Sequence, residues 1–308
     1  MERKYTNILF LFLAILQFQA CRLGPAAVVI PDNIPPPFTG VPDLLVENYV
    51  NRIYIDLLGR EAFEEEMERV IEEFRRYHLV EAVRDSILLD IQTNEQFVAG
   101  DSSYRWAFIQ RIYDQTKIQL LDGVSDDLIR FDIWQLEEKI FEDSIRADVS
   151  GQAFAQREIL KLSAVLETRE DLFERRIEIG EAYRRMVYNE EYDKINQGSY
   201  NFVNAVFQDL FFRSPTNEEF YQIFPIVEFN QPGIVFGVAC ENKEELIKVL
   251  TDSREFHEQW IRKGYRSLLA REPSSEEVSE KLNRFYEDRD FQKIMRELMV
   301  TNEYANFE

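Results

Sequence analysis

A short apolar signature recurs along this chain, and it limits the folds the chain can reach. It reads Tyr54-Ile55-Asp56-Leu57-Leu58-Gly59-Arg60-Glu61 near the start. It returns as Phe207-Gln208-Asp209-Leu210-Phe211-Phe212-Arg213-Ser214-Pro215 and as Tyr265-Arg266-Ser267-Leu268-Leu269-Ala270-Arg271-Glu272-Pro273. An aromatic stands five residues before each copy (Tyr49, Phe202, Trp260), followed by an aliphatic (Val50, Val203, Ile261). Apolar residues at these intervals form one face of an amphipathic helix. A unit that cannot cover its own apolar face gains by packing on its copies. The expectation is an all-α protein of tandem helical repeats.

Three copies are clear and one is degenerate. The first unit covers about 46–97, with helices through Tyr54, over Glu64 to Tyr77 and over Val80 to Ile91. Gly59 is the natural stop of its first helix. In the degenerate unit Phe108, Ile109, Ile112 and Tyr113 keep the spacing, but Thr116 and Lys117 replace the two bulky residues. A long helical insertion, Asp126 to Tyr188, follows it. The third and fourth units each carry a capping box, Thr216-Asn217-Glu218-Glu219 and Ser274-Ser275-Glu276-Glu277. There the hydroxyl accepts from an orphan amide of the next helix, and the Glu accepts from the cap's own amide. Each unit ends in a polar tail with an aromatic: Phe97, Tyr192, Phe256 and Tyr304. The grouping expected is an N-terminal helical domain over 46–192 and a C-terminal one over 200–308.

The first residues read as an export signal. Arg3 and Lys4 precede an apolar run from Ile8 to Phe18, too short to span a membrane comfortably. Phe18-Gln19-Ala20-Cys21 then resembles the lipobox of a Bacteroidetes-type lipoprotein, in which Cys21 is acylated and becomes the mature first residue. Residues 1–20 are thus read as a signal peptide and 21–45 as a tether. Pro25, Pro31, Pro35, Pro36, Pro37 and Pro42 stiffen that tether. No acidic run follows Cys21, so the expected location is the periplasmic face of the outer membrane. The membrane is met through the N-terminal lipid, and a protein partner in the envelope is expected.

Net charge is −21. Removing residues 1–20 takes away Glu2, Arg3 and Lys4, one net positive charge, leaving −22. Such a surface repels phosphate backbones, so nucleic acid is a poor partner. After Cys21 only Cys240 remains, so the mature chain makes no internal disulfide. No phosphate loop, haem motif or metal-ligand spacing implies a cofactor. His78 and His257, the two histidines, stand apart from each other and from any Cys.

The unit pattern resembles the phycobilisome-linker-type helical repeat and a related uncharacterised repeat of secreted bacterial proteins. The residues carrying the resemblance are Tyr265, Leu268, Leu269, Arg271, Pro273 and Asn302-Glu303-Tyr304, with their counterparts. It implies a structural or binding module and brings no catalytic residues. Tyr54, Arg60, Phe207, Arg213, Tyr265 and Arg271 are accordingly read as structural. Each Arg is expected to cap helix carbonyls or pair with a nearby carboxylate, Asp56 and Asp209 being close in sequence.

One stretch breaks the pattern, Phe224 to Cys240. Pro232-Gly233 suits a type II turn between two β-prone runs, so a small β-hairpin is expected near 225–238. Phe229, Ile234, Val235 and Phe236 make it a candidate partner-binding loop. The expected role is a non-catalytic envelope scaffold or accessory subunit, in secretion, motility or polymer handling. The alternative is a glycan- or cell-wall-acting enzyme using an Asp/Glu pair.

Overall fold

A computed structural model describes residues 40–98 and 100–307. Cys21, the signal segment and nearly all of the tether lie outside them. Fifteen helices and one two-stranded antiparallel sheet make up the described residues, and everything from Val41 onward forms one compact unit. The chain is all-α with a small hairpin.

Each unit opens with a head helix: α1 (Asp43–Leu58), α4 (Tyr104–Leu120), α9 (Ser199–Phe211) and α12 (Arg254–Leu269). Two further helices follow: α2 (Glu64–Tyr77) and α3 (Glu81–Thr93) in the first unit, α10 (Asn217–Phe229) and α11 (Lys243–Asp252) in the third, α13 (Ser275–Asp288) and α14 (Phe291–Met299) in the fourth. The insertion breaks into three pieces: α5 (Asp126–Ile145), α6 (Val149–Phe173) and α7 (Ile179–Val187). Short helices α8 (Glu190–Ile195) and α15 (Asn302–Ala305) end the second and fourth units.

Period dictates burial. Tyr49, Val50, Ile53, Tyr54 and Leu57 are wholly buried, as are Phe202, Val203, Val206 and Phe207 in α9. Heads pack in pairs, α1 on α4 and α9 on α12. The segments 46–192 and 200–307 meet through α7 on α11 and α3 on α14, and the side chain of Gln92 on α3 donates to the carbonyl of Gln292 at 3.2 Å.

The tails close the assembly. Tyr192 donates its hydroxyl to Asp209 of the third head (2.6 Å). Tyr304 does the same to Asp56 of the first (2.7 Å). The last unit is thereby fastened to the first just as the second is to the third. Tyr49 reinforces this by donating to the carbonyl of Met299 at 3.2 Å, and Arg52 by donating to that of Tyr304 at 2.7 Å. Asp56 and Asp209 thus serve the tails, and they are not the partners of Arg60 and Arg213.

Two expectations need correction. Phe97 docks nothing: it is 82% exposed. The buried aromatic that closes the first unit is Tyr104, edge-on to Tyr54 and donating to Glu66 at 2.8 Å. Pro232-Gly233 is not the hairpin turn either. Pro225 lies inside α10, which runs to Phe229. The strands are β1 (Gly233–Val235) and β2 (Val238–Cys240), joined at Phe236-Gly237. Both turn residues have positive φ, 51° and 80°. That is the type I′ geometry matching the right-handed twist of a two-residue hairpin.

Candidate functional site: arginine clamps and the hairpin groove

The signature arginines form one constellation three times. Arg60 donates from both terminal nitrogens to Glu66 (2.7 and 2.8 Å) and from Nε to Asp101 (2.9 Å). Arg213 grips Glu219 the same way (2.8 and 2.7 Å) and Glu255 through Nε and Nη2. Arg271 repeats it on Glu277 (2.9 and 2.6 Å) and Glu303. In each case Nη1 also donates to the carbonyl of the following residue. The fork is occupied by paired carboxylates, the geometry that a planar guanidinium suits best.

The gripped Glu is in each case the third residue of the second helix. Glu219 accepts from the amide of Thr216 at 2.7 Å, and Glu277 from that of Ser274 at 2.7 Å, while the cap hydroxyls accept from the Glu amides at 3.2 Å. Glu66 takes the amide of Phe63, which has no hydroxyl to return. One carboxylate thus starts a helix and holds the end of the preceding one. The Arg213 fork, helped by the Thr216 amide, pulls the Glu219 carboxyl down to about 2. Arg271 and the Ser274 amide do the same to Glu277, also to about 2. Burial opposes the shift at Glu66, and the donors Arg60, Phe63 and Tyr104 still hold it below the usual range.

The degenerate unit lacks the clamp, for a geometric reason. Its head runs on to Leu120, so Gln119, the counterpart of the arginines, lies inside a helix. Gln119 instead donates to the carbonyl of Asp209 (2.7 Å) and accepts from Lys263 (2.6 Å) and Tyr183 (3.2 Å). The tail acid Glu191, deprived of an arginine, pairs with Lys194 at 2.6 Å beside Asp132, and burial pushes its carboxyl up.

His257 is packed. It is 2% exposed, with Nδ1 2.7 Å from the carbonyl of Ser253, and Arg289 donates to its ring. Burial drives its basicity down to about 4. Cys240 is likewise buried, its thiol on the carbonyl of Val238.

The hairpin presents part of the candidate loop to solvent. Ile234, Phe236, Val238 and Phe229 are exposed. Val235 is not: β1 turns it inward, 2% exposed, so it belongs to the hairpin's own core. Phe236 leans edge-on against Phe211 at 5.9 Å. Beside the turn lies a groove of about 740 Å³, lined by Phe236, Val238 and Ala239 on one side and by Val249, Asp252 and Tyr286 on the other. Glu255, held by the Arg213 clamp, forms part of its wall.

Among the described residues no three His, Cys, Asp or Glu side chains gather as a metal site requires, and no helix is long and apolar enough to cross a membrane. No family model matches the chain, and neither does any curated protein or solved structure.

Proposed function

We propose that the protein is a non-catalytic, lipid-anchored scaffold or accessory subunit of a cell-envelope complex, held at the periplasmic face of the outer membrane by Cys21. One observation carries this reading: the exposed apolar hairpin bordering a groove of 740 Å³ on a clamped frame. Apolar side chains held in water beside a concave surface mark a docking place for another protein. The clamps supply rigidity, since every fork is filled from within the chain. The resemblance of its units to the linker-type repeat, which implies a structural or binding module, agrees with this role.

The hairpin is tested by Ile234→Asp and Phe236→Asp in protein purified from native membranes. The expected outcome is an intact fold with loss of the co-purifying partner. Unchanged partners from an intact fold would remove the hairpin from the account. The anchor is tested separately: Cys21→Ser should move the protein from the membrane fraction to the soluble one. Finding residues 1–20 still attached to the native protein would defeat it.

A further inference from the structure

The second break in the repeat carries its own unpartnered face. Helices α5 and α6 form a long antiparallel pair, with Ile129 and Asp143 of α5 and Ala155 and Leu162 of α6 buried. The far side of α5 is apolar as well. Phe131, Trp134, Phe141 and Ile145 are 49%, 53%, 65% and 72% exposed. With exposed Glu138 they stand at 131, 134, 138, 141 and 145. Steps of three, four, three and four make the a/d seam of a heptad helix, the seam that takes knobs from a facing helix. It covers about 21 Å of helix axis at 1.5 Å per residue.

Charge decides what covers it. Glu138 interrupts the seam at an a-type position, and Glu137 lies beside it; neither has an ion-pair partner among the described residues. Lys139 turns to the ring of Phe154 on α6 (5.2 Å), and Arg130 of α5 and its C-cap Arg146 are committed to Asp127 and Glu142. An antiparallel second copy centred on Glu138 would set the two Glu138 carboxylates against each other, on chains that each carry −21. A bilayer taking up the apolar seam would have to bury the Glu138 carboxylate beneath its headgroups, where an unpaired charge is costly.

We infer that α5 is the docking face for an amphipathic helix of another protein, one with an apolar heptad seam and a Lys or Arg opposite Glu138. A polar residue at a single a-type position fixes register, and a complementary charge there selects the partner.

The test uses the full chain and two labelled synthetic 21-residue helices. Both carry Leu at a and d; one has Lys at the central a position and along the flanks, and its twin has Glu at those places. Fluorescence anisotropy is read at about 0.15 M salt, where long-range attraction is screened. The basic helix is expected to bind about tenfold or more tighter than its twin. Phe141→Glu should abolish that binding, and Phe236→Asp should leave it unchanged. Glu138→Lys, at an exposed position of α5, should leave the unfolding transition unchanged and invert the order of the twins. Equal binding of the twins, or no binding below about 100 μM, overturns the proposal. So does concentration-dependent dimerisation, or phosphatidylcholine-vesicle binding, that Phe141→Glu abolishes; these would assign the face to a second copy or to lipid.

Discussion

The repeat units and the two insertions obey opposite rules. In the units, the signature apolar side chains of the heads face inward and the signature arginines are spent on internal carboxylates. In α5–α6 and the hairpin, Trp134, Phe141, Ile145, Ile234 and Phe236 stand in water. Architecture and proposed recognition are therefore divided: recurring parts hold the frame, and parts that occur once carry the proposed contacts.

The largest expected effect lies in the frame. Arg60 is the most enclosed clamp, its side chain 19% exposed, against 33% for Arg213 and 37% for Arg271. Replacing Arg60 by Ala strands the carboxylates of Glu66 and Asp101, and should cost about 3 kcal/mol. Arg213→Ala should cost about 2 kcal/mol and Arg271→Ala about 1 kcal/mol, as water repays more of the loss. Urea unfolding of the three variants checks the order, and equal costs would break the link between enclosure and contribution.

Acid should loosen the frame through His257. Its folded basicity is about 4 against an ordinary 6.5, so the unfolded chain takes up the proton first. Its contribution is full above pH 6.5 and is lost as the pH falls towards 4, with a limiting slope of about 1.4 kcal/mol per pH unit. The lowered Glu219 and Glu277 act further down, from the ordinary carboxylate range of about 4.5 towards 2. Asp56 and Asp209, raised by burial, act in the reverse sense. The difference in stability between the parent and His257→Gln, measured from pH 7 to 4.5, isolates the histidine: the gap should narrow with acid.

A smaller gain is available where heads end. Gly59 closes α1 with φ 79°, but Ala270 closes α12 with φ 55°. An L-residue in that left-handed region costs about 1 kcal/mol, so Ala270→Gly should raise stability by up to that amount, seen as a higher Tm. The smallest effect belongs to the insertions. Phe141→Glu and Ile234→Asp should change unfolding free energy by less than about 0.5 kcal/mol. A large loss from either would show that these faces belong to the frame after all.

The heads, the boxes of the third and fourth units and the Glu64–Tyr77 helix were legible because each rests on local spacing or local hydrogen bonding. The clamps were half legible. Arg60, Arg213 and Arg271 announced themselves by recurrence, but their partners Asp101, Glu255 and Glu303 lie 32 to 42 residues away. Sequence adjacency pointed instead to Asp56 and Asp209, which face the tail tyrosines. The hairpin was placed and its turn misplaced, since Pro-Gly is a strong local signal and Phe236 in a positive-φ turn is a weak one. The α5 seam was hidden differently. Ile129, Ile133, Leu136 and Ile140 make a second apolar face on the same helix, and periodicity cannot say which of two faces is covered.

Tyr49 waits for Met299, and Asp56 for Tyr304, across about 250 residues. During synthesis α1 therefore emerges long before its counterpart exists. Folding of this molecule cannot finish from the front. The apolar face of α1 stays partly uncovered until the last unit is present, so both ends of the described fold must close together.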